Sequence, residues 1–298
     1  MEFEVVAEGL EFPEGPVVMS DGSVIVVEIR RGTVTRCWGG GKTEIVADLG
    51  GGPNGAAIGP DGALYVCNNG GFGWGQTNPM FMGEEYSGGR IERIDLANGK
   101  VERIYDTCGE HKLRGPNDLV FDKAGGFWFT DYGKDMGRVR DKGGLYYARP
   151  DGSKIVEVDF GNSGSNGVGL SPDGSTVYVA ETSASRLWAY DIVSPGVIRP
   201  QKGPFPGRVV MALPELRFFD SLAVTASGKV CVATVLDGSI TSIAPDGSYE
   251  VFPTPDRYTT NIAFGGDDMR DAYLTFSRGG TLVKTRWPET GLRLNFNA

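Results

Sequence analysis

Histidine and cysteine are scarce in this sequence. Its 298 residues include one histidine and four cysteines, and no two cysteines form a CxxC pair. Zinc sites draw most of their ligands from these two residue types, and a Ser-His-Asp hydrolase needs a histidine beside its nucleophile. With one histidine and no GxSxG motif, a serine hydrolase is disfavoured. The cysteines lie far apart, mostly in strand-like sequence, so we expect buried free thiols rather than disulfides.

Excess positive charge and long apolar runs are also missing. The chain has 29 Lys and Arg against 38 Asp and Glu, a net charge of -9. This balance argues against a nucleic-acid partner or an anionic membrane surface. No stretch approaches the roughly 20 apolar residues of a membrane span, and the N-terminal segment lacks a basic region followed by an apolar one. We therefore expect a cytoplasmic protein, monomeric or weakly homo-oligomeric, without a nucleic-acid or membrane partner.

What the chain has in abundance is glycine, 46 residues, together with an internal repeat. Six segments share a polar residue, a short apolar run, a turn and a second β-rich run. They read FPEGPVVMSDGSVIVVEI, GPNGAAIGPDGALYVCNN, GPNDLVFDKAGGFWFTDYG, SNGVGLSPDGSTVYVAET, FDSLAVTASGKVCVATV and TNIAFGGDDMRDAYLTFS. The polar residues that open them, here named the head residues, are Glu14, Asn54, Asn117, Asn166, Asp220 and Asn261. Their spacings of 40, 63, 49, 54 and 41 residues match the length of a propeller blade.

The repeated segments also predict the overall fold. Asp-Gly turns separate runs rich in Val, Ile, Tyr and Trp, which is a hairpin signal, and no window keeps a helical apolar period. We therefore predict an all-β, six-bladed β-propeller that occupies residues 1–298 as a single domain. The alternating sequence within Met1–Leu10 is expected to supply the outer strand of the last blade and so close the ring.

In a propeller the innermost strands line the axis, so the six head residues are expected to converge there. Two carboxylates and four carboxamides are hard oxygen donors of limited total charge, which suits Ca²⁺ with its six to eight oxygen ligands. Turn capping is the alternative for any one Asn or Asp, but it does not explain recurrence at one position in six units. We predict one divalent metal, most simply Ca²⁺, with Zn²⁺, Mn²⁺ and Mg²⁺ as alternatives.

A Gly-rich and aromatic insertion between Asn54 and Asn117, residues 70–90, is expected to form a rim or lid over the mouth of the axis. Its aromatic and Met side chains line an apolar pocket wall in one interpretation and pack the lid itself in the other; they are Phe72, Trp74, Met80 and Phe81.

Four of these motifs carry a family resemblance. FPEGP, RGPND, SNGVGLSPDG and FDSLAV, in this order over nearly the whole chain, resemble motifs of the regucalcin (senescence marker protein)/gluconolactonase family, which is related to the diisopropylfluorophosphatases. The resemblance implies lactone hydrolysis. It also implies metal ligands at Glu14, Asn166 and Asp220, with Asn117 as a further ligand or a substrate contact. The family's substrate-orienting Arg commonly lies two residues before this Asn, where the chain has Gly115, and Arg114 is the nearest arginine.

These residues support a mechanism for opening a small, sugar-type lactone. A dication would polarise the carbonyl, and Asp220 would act as the general base that activates water. Asn54, Asn261, Tyr132 and Arg114 are further candidates for substrate contacts. His111 is expected to be a solvated loop residue rather than a catalyst.

Two other functions remain open at this point. The same metal site could hydrolyse organophosphates or phosphotriesters, because a fold does not fix a substrate. A non-catalytic propeller, either a protein scaffold or a calcium-stabilised sugar-binding module, is the alternative outside enzymes.

Overall fold

The chain folds into a ring of six antiparallel β-sheets, seen in a computed structural model that describes residues 1–74, 81–203 and 205–297. The described residues form strands, turns and loops but no α-helix. The prediction of an all-β, six-bladed propeller is therefore confirmed. No helix in the described part of the chain has the length and apolar character that crossing a bilayer requires.

Each sheet is one blade, numbered here in chain order. Blade 1 comprises Pro13–Val18, Val24–Glu28, Thr33–Cys37 and Thr43–Asp48. Blade 2 comprises Pro53–Ile58, Leu64–Asn68, Arg90–Ile94 and Val101–Tyr105. Blade 3 comprises Pro116–Phe121, Phe127–Asp131, Gly143–Ala148 and Ile155–Asn162. A short hairpin of Thr107–Cys108 and His111–Lys112 lies between blades 2 and 3.

The second half of the ring follows the same plan. Blade 4 comprises Ser165–Leu170, Thr176–Glu181, Arg186–Ser194 and Arg208–Ala212, with Val197–Ile198 paired to the end of its third strand. Blade 5 comprises Phe218–Val224, Val230–Val235, Ser239–Ile243 and Tyr249–Pro253. Blade 6 comprises Thr259–Gly265, Asp271–Phe276, Thr281–Arg286 and the N-terminal strand Glu4–Ala7.

The closure of the ring joins the two ends of the chain. Glu4 pairs with Lys284 and Val5 with Val283, so the N-terminal strand becomes the outermost strand of blade 6. This confirms the expectation for Met1–Leu10. Closure by strand pairing leaves the first and last blades joined by main-chain hydrogen bonds rather than by side chains alone.

Apolar side chains pack between blades because successive residues of a strand point to opposite faces. In the second strand of blade 1, Val24 and Val26 pack against blade 6, whereas Ile25 and Val27 pack against blade 2. The same arrangement gives one apolar cluster between each pair of neighbouring blades around the ring. Both faces of each sheet are therefore buried, and the four cysteines remain free thiols within this framework.

Asp-Gly pairs form tight turns between adjacent strands, as predicted. Gly22 and Gly62 adopt φ of 82° and 75°, the left-handed region that glycine enters without steric cost. The preceding aspartates accept hydrogen bonds from the backbone two residues on, at 3.0 Å for Asp21 and 3.2 Å for Asp61. These aspartates serve the turns and not the axis.

Every innermost strand has a β-bulge beside its head residue. The register shifts between Glu14 and Val17 in blade 1, between Ser165 and Val168 in blade 4, and at equivalent places in the other four blades. A bulge bends its strand and redirects a side chain. It therefore accounts for the way in which these strands present polar side chains at the axis.

The far end of the axis is covered by the C-terminal segment. Leu292, Leu294 and Asn297 line a cavity there, against the distal parts of the innermost strands. Asn295 Nδ2 donates to the Phe121 carbonyl oxygen at 2.9 Å, and the Phe296 ring lies 6.0 Å from that of Phe121. The axis is thus approached from the end that carries the head residues.

Candidate active site

Five of the six head residues line one cavity at the open end of the axis. The cavity has a volume of about 310 Å³, within the range of small-molecule sites. The five head residues are Glu14, Asn54, Asn117, Asn166 and Asp220. The structure therefore gathers these five residues in one cavity, and we call this part of the cavity, built from the innermost strands, its floor.

Glu14 is buried and its carboxylate is held by neutral donors. Glu14 Oε2 accepts hydrogen bonds from the Gly15 amide at 2.9 Å and from Asn261 Nδ2 at 2.8 Å. Loss of hydration nevertheless raises the pKa of Glu14 to about 7, because burial penalises the charged form more than these bonds favour it. A cation beside Glu14 would therefore stabilise the charged form of its carboxylate.

The pKa of Asp220 is also raised. Burial, and then the charge of Glu14, raise the pKa of Asp220 well above its ordinary value. Asp118, beside the head residue of blade 3, has a pKa raised to about 7, first by burial and then by the charge of Glu14. Acidic groups this close together at the axis oppose one another's ionisation unless a cation joins them.

Two amide oxygens on the floor are left without donors. Asn117 Oδ1 and Asn166 Oδ1 are buried and have no hydrogen-bond partner, although Asn166 Nδ2 donates to Thr182 Oγ1 at 3.1 Å. A buried acceptor without a donor is unfavourable, and a cation satisfies it as a hydrogen bond would. Two such oxygens with two carboxylates form a donor set of the kind that hard cations bind.

This donor set depends on carboxamides. Across the described ranges, no three His, Cys, Asp or Glu side chains are grouped as a metal site requires. Any cation on the floor would therefore need Asn117 and Asn166 as well as the carboxylates.

Asn54 and Asn261, the two head residues outside this donor set, form hydrogen bonds to residues of the set. Asn54 Nδ2 donates to the Asn117 carbonyl oxygen at 3.3 Å, and Asn54 Oδ1 accepts from Asn69 Nδ2 at 3.0 Å. Asn261 does not line the cavity, because its side chain turns to Glu14 and to the amide of Ile262. Asn261 therefore fixes the orientation of a carboxylate.

Tyr132 and Arg114 occupy different environments. Tyr132 lines the cavity, and burial raises the pKa of its phenol. Arg114 does not line it: Nε donates to Asp141 Oδ2 at 2.8 Å, and the guanidinium lies 5.5 Å from the centre of the Tyr86 ring. The structure thus does not bring Arg114 together with the other predicted site residues. His111 is exposed in the hairpin between blades 2 and 3.

The insertion in blade 2 contributes an aromatic wall. Phe72 and Phe81 line the cavity, while the Trp74 ring packs 5.2 Å from Phe12 and 5.8 Å from Phe72. Some aromatic side chains of this segment therefore line the pocket wall, and another packs against its aromatic neighbours. Met80 lies outside the described residues.

Further polar residues that the sequence analysis did not select also line the cavity, among them Asn69, Asp135, Thr182 and Thr260. Lys134 and Arg140 lie in the connection after the second strand of blade 3, and Ser183 follows the second strand of blade 4. Lys134 and Arg140 lie outside the repeated segments, so the repeat gave no signal that would have selected them. Lys134 is buried, with Nζ 3.1 Å from Asn69 Oδ1.

Comparison with known proteins relates this site to a family. The family model described as SMP-30/Gluconolactonase/LRE-like region matches residues 12–278. A protein named lactonase drp35 from Staphylococcus saprophyticus is 29% identical over 247 residues, which cover 82% of this chain and 70% of the relative. A gluconolactonase from Zymomonas mobilis is 24% identical over 314 residues, covering 95% of this chain and 81% of the relative.

Solved structures share the fold. A gluconolactonase from Xanthomonas campestris superposes with a TM-score of 0.75 at 20% identity, over 96% of this chain and 89% of the other. A calcium-binding protein, regucalcin, from Agrobacterium tumefaciens gives the same TM-score at 18% identity, over 97% of each chain. At these identities the structural similarity shows the propeller fold and does not show a shared function.

Proposed function

Because the chain belongs to the SMP-30/gluconolactonase/LRE-like family, we propose that it is a metal-dependent lactonase that opens a small, sugar-type lactone to its hydroxy acid. The observation that carries the proposal is the floor of the cavity. The buried Glu14 carboxylate, held by neutral donors, and the Asp220 carboxylate line the same cavity as two residues whose amide oxygens have no donor. Relatives named lactonase and gluconolactonase support the choice of reaction.

We propose that Glu14, Asn117, Asn166 and Asp220 hold one divalent cation, and that this cation is Ca²⁺. Oxygen donors of mixed charge, without His or Cys, favour a hard cation of flexible geometry. The similar fold of a calcium-binding regucalcin agrees with this choice. When bound, the cation would polarise the lactone carbonyl and ease the ionisation of water.

The chain's own residues supply the proton transfers. The Asp220 carboxylate accepts a proton from water as the water oxygen attacks the carbonyl carbon of the lactone. The bond between that carbon and the ring oxygen then breaks, and Asp220 returns the proton to the departing ring oxygen. The product is one molecule that carries a new hydroxyl group and a carboxylic acid, which releases the second proton of the water to the solvent and becomes a carboxylate.

Other residues hold the reacting groups in place. Asn261 fixes Glu14, Asn69 fixes Asn54, and the Asn54 amide in turn bonds to the backbone of Asn117. Phe72 and Phe81 form an apolar wall that reduces the access of bulk water. Tyr132 lines the cavity, and we propose that its hydroxyl contacts substrate oxygens.

Hydrolysis of a lactone panel, followed by titration of the released acid, tests the proposal. The protein is dialysed against a chelator and assayed with and without added Ca²⁺. Asp220→Asn is compared with Asp246→Asn, a matched change in an exposed turn of the same blade. Turnover that requires the cation and is lost only in Asp220→Asn supports the lactonase.

Two results would redirect the proposal. Tight Ca²⁺ binding without turnover of any lactone would shift the function to a phosphotriester hydrolase or a sugar-binding module, which assays with a phosphotriester and with free aldoses distinguish. Full activity of Asp220→Asn would remove Asp220 as the base.

A further inference from the structure

Two cationic side chains reach the cavity from one connection in blade 3. Lys134 and Arg140 lie between the strands Phe127–Asp131 and Gly143–Ala148, and both line the cavity. The proposed reaction uses neither of them. Glu14 and Asp220 belong to the floor, on innermost strands, whereas the side wall carries these two basic side chains and one carboxylate, Asp135.

Arg140 is held so that one edge of its guanidinium is left unused. Nη1 donates to Ser183 Oγ at 2.6 Å, and the guanidinium carbon lies 5.0 Å from the centre of the Tyr132 ring. Nε and Nη2 are buried and have no hydrogen-bond partner among the described residues. These two nitrogens share the edge that binds a carboxylate through two parallel hydrogen bonds.

A glycine lies beside this edge. An added Cβ at Gly164 would lie 2.7 Å from Arg140 Nη2 and 2.7 Å from a carbon of the Tyr132 ring. Any larger residue at position 164 would displace the guanidinium. The pairing of Arg140 with a glycine therefore preserves the position of its unpaired donors.

Lys134 is a second basic side chain, and its hydrogen-bond partners are neutral. Its Nζ donates to Asn69 Oδ1 at 3.1 Å and to the Gly71 carbonyl oxygen at 2.9 Å, and lies 4.4 Å from the centre of the Phe72 ring. When protonated, the ammonium group has three donors, so one remains for a ligand. An anion in the cavity would interact favourably with Arg140 and would favour the protonated form of Lys134.

We infer that the lactone substrate carries a carboxylate in addition to its ring, and that Arg140 binds this carboxylate through Nε and Nη2. The inference rests on the proposed lactonase function and names its substrate class, the lactones of sugar diacids. With the ring carbonyl at the proposed cation on the floor and the carboxylate at Arg140, both polar ends of such a substrate would meet a positive group. A neutral sugar lactone would leave the Arg140 edge unpaired.

The γ-lactones of D-glucarate and D-gluconate test this inference, since they differ only by a carboxylate in place of a hydroxymethyl group. We expect the Ca²⁺-loaded wild-type protein to prefer the glucarate lactone in kcat/KM. Arg140→Gln should reduce kcat/KM for the glucarate lactone by about 10- to 100-fold, the effect of one hydrogen-bonded charge. The decrease for the gluconate lactone should be much smaller, and most of the change should appear in KM.

Arg138→Gln is the matched control, because Arg138 is an exposed neighbour on the same connection that does not line the cavity. It should leave both rates unchanged. Calorimetric titration with D-glucarate gives a second readout, in which the affinity should fall in Arg140→Gln and stay unchanged in Arg138→Gln.

The outcomes separate this inference from the function on which it rests. Hydrolysis of the gluconate lactone at least as fast as the glucarate lactone would overturn the inference and leave the lactonase intact. Equal losses for both lactones in Arg140→Gln would also overturn it, because they would indicate a general structural role. Hydrolysis of neither lactone would overturn the proposed function, and the inference with it.

Discussion

A buried lysine with neutral partners makes the stability of this protein depend on pH. Burial lowers the pKa of Lys134 to about 7 from an ordinary value of 10.5. Between these values the unfolded chain holds a proton that the folded chain has released, so the free energy of unfolding rises with pH across this window. Below about pH 7 both states are protonated, and the folded state carries the full cost of the buried charge.

We therefore expect Lys134→Met to be most beneficial at low pH. Relative to wild type, its free energy of unfolding should be about 1 to 3 kcal/mol more favourable at pH 6 than at pH 9. Urea unfolding at both pH values measures this difference. Lys123→Met, at an exposed position, should show none, and an equal effect of Lys134→Met at the two pH values would contradict the assigned cause.

Asn261 offers a test of the cation site that does not depend on turnover. Its amide holds Glu14 Oε2 at 2.8 Å, although Asn261 itself does not line the cavity. Loss of a group that orients a ligand typically lowers metal affinity by about 10- to 100-fold. Calorimetry should therefore show this loss of Ca²⁺ affinity in Asn261→Ala, and none in Asn98→Ala on the surface. Unchanged affinity in Asn261→Ala would count against Glu14 as a ligand.

At the residue scale, the sequence analysis selected cavity-lining residues mainly within the repeated segments. The head residues were identified because the same strand position recurs six times. Arg114 was selected by its distance from Asn117 along the chain, but its partner is Asp141, on a different loop. Lys134 and Arg140 enter the cavity from a connection outside the repeat, so the pattern gave no reason to choose them.

The innermost strands are the elements on which the site depends, and glycine sets their spacing. An added Cβ at Gly167 would lie 2.7 Å from the Leu222 amide nitrogen and 2.8 Å from the Asp220 carbonyl oxygen, on the neighbouring strand. Gly55 has an equally close neighbour in the backbone of Asn117. Strands that approach this closely bring the head residues of adjacent blades together.

Gly167→Ala should therefore disturb both the fold and the site. Overpacking of this kind typically costs about 1 to 3 kcal/mol of unfolding free energy. Because the clash is with the strand of Asp220, Ca²⁺ affinity should fall as well. Chemical denaturation and calorimetry check the two effects. In the control Gly279→Ala the nearest atom, at 3.1 Å, belongs to a side chain that can move, and a similar loss there would contradict the explanation.

Elements differ in how far sequence determines them. The hairpins were predictable because Asp-Gly turns act within a few residues. The bulges at the head residues were not, because they arise from the packing of six strands around one axis. Five of the six head residues line the cavity at the axis, whereas Asn261 turns to Glu14, and the bulges that direct these side chains became visible only in three dimensions.

At the scale of the whole molecule, the ring is held by one strand pair between the chain ends. Val6 is buried in the cluster between blades 6 and 1, with 7% of its surface exposed, whereas Val5 is 53% exposed. We expect Val6→Asp to lower Tm by about 5 °C or more, because it buries a charge at the closure. Val5→Asp, one residue earlier on the same strand, should have a small effect. Scanning calorimetry compares them, and equal shifts would contradict closure by this strand.

The same closure sets an order of events during synthesis on the ribosome. The strand Glu4–Ala7 emerges first, but its partner strand begins only at Thr281. At about 5 to 20 residues per second, the first strand waits for roughly 15 to 60 seconds before it can pair. During this interval its exposed main chain is open to pairing with other nascent chains. The acidic side chains of Glu2 and Glu4 add negative charge beside that edge, which disfavours such encounters while the ring is incomplete.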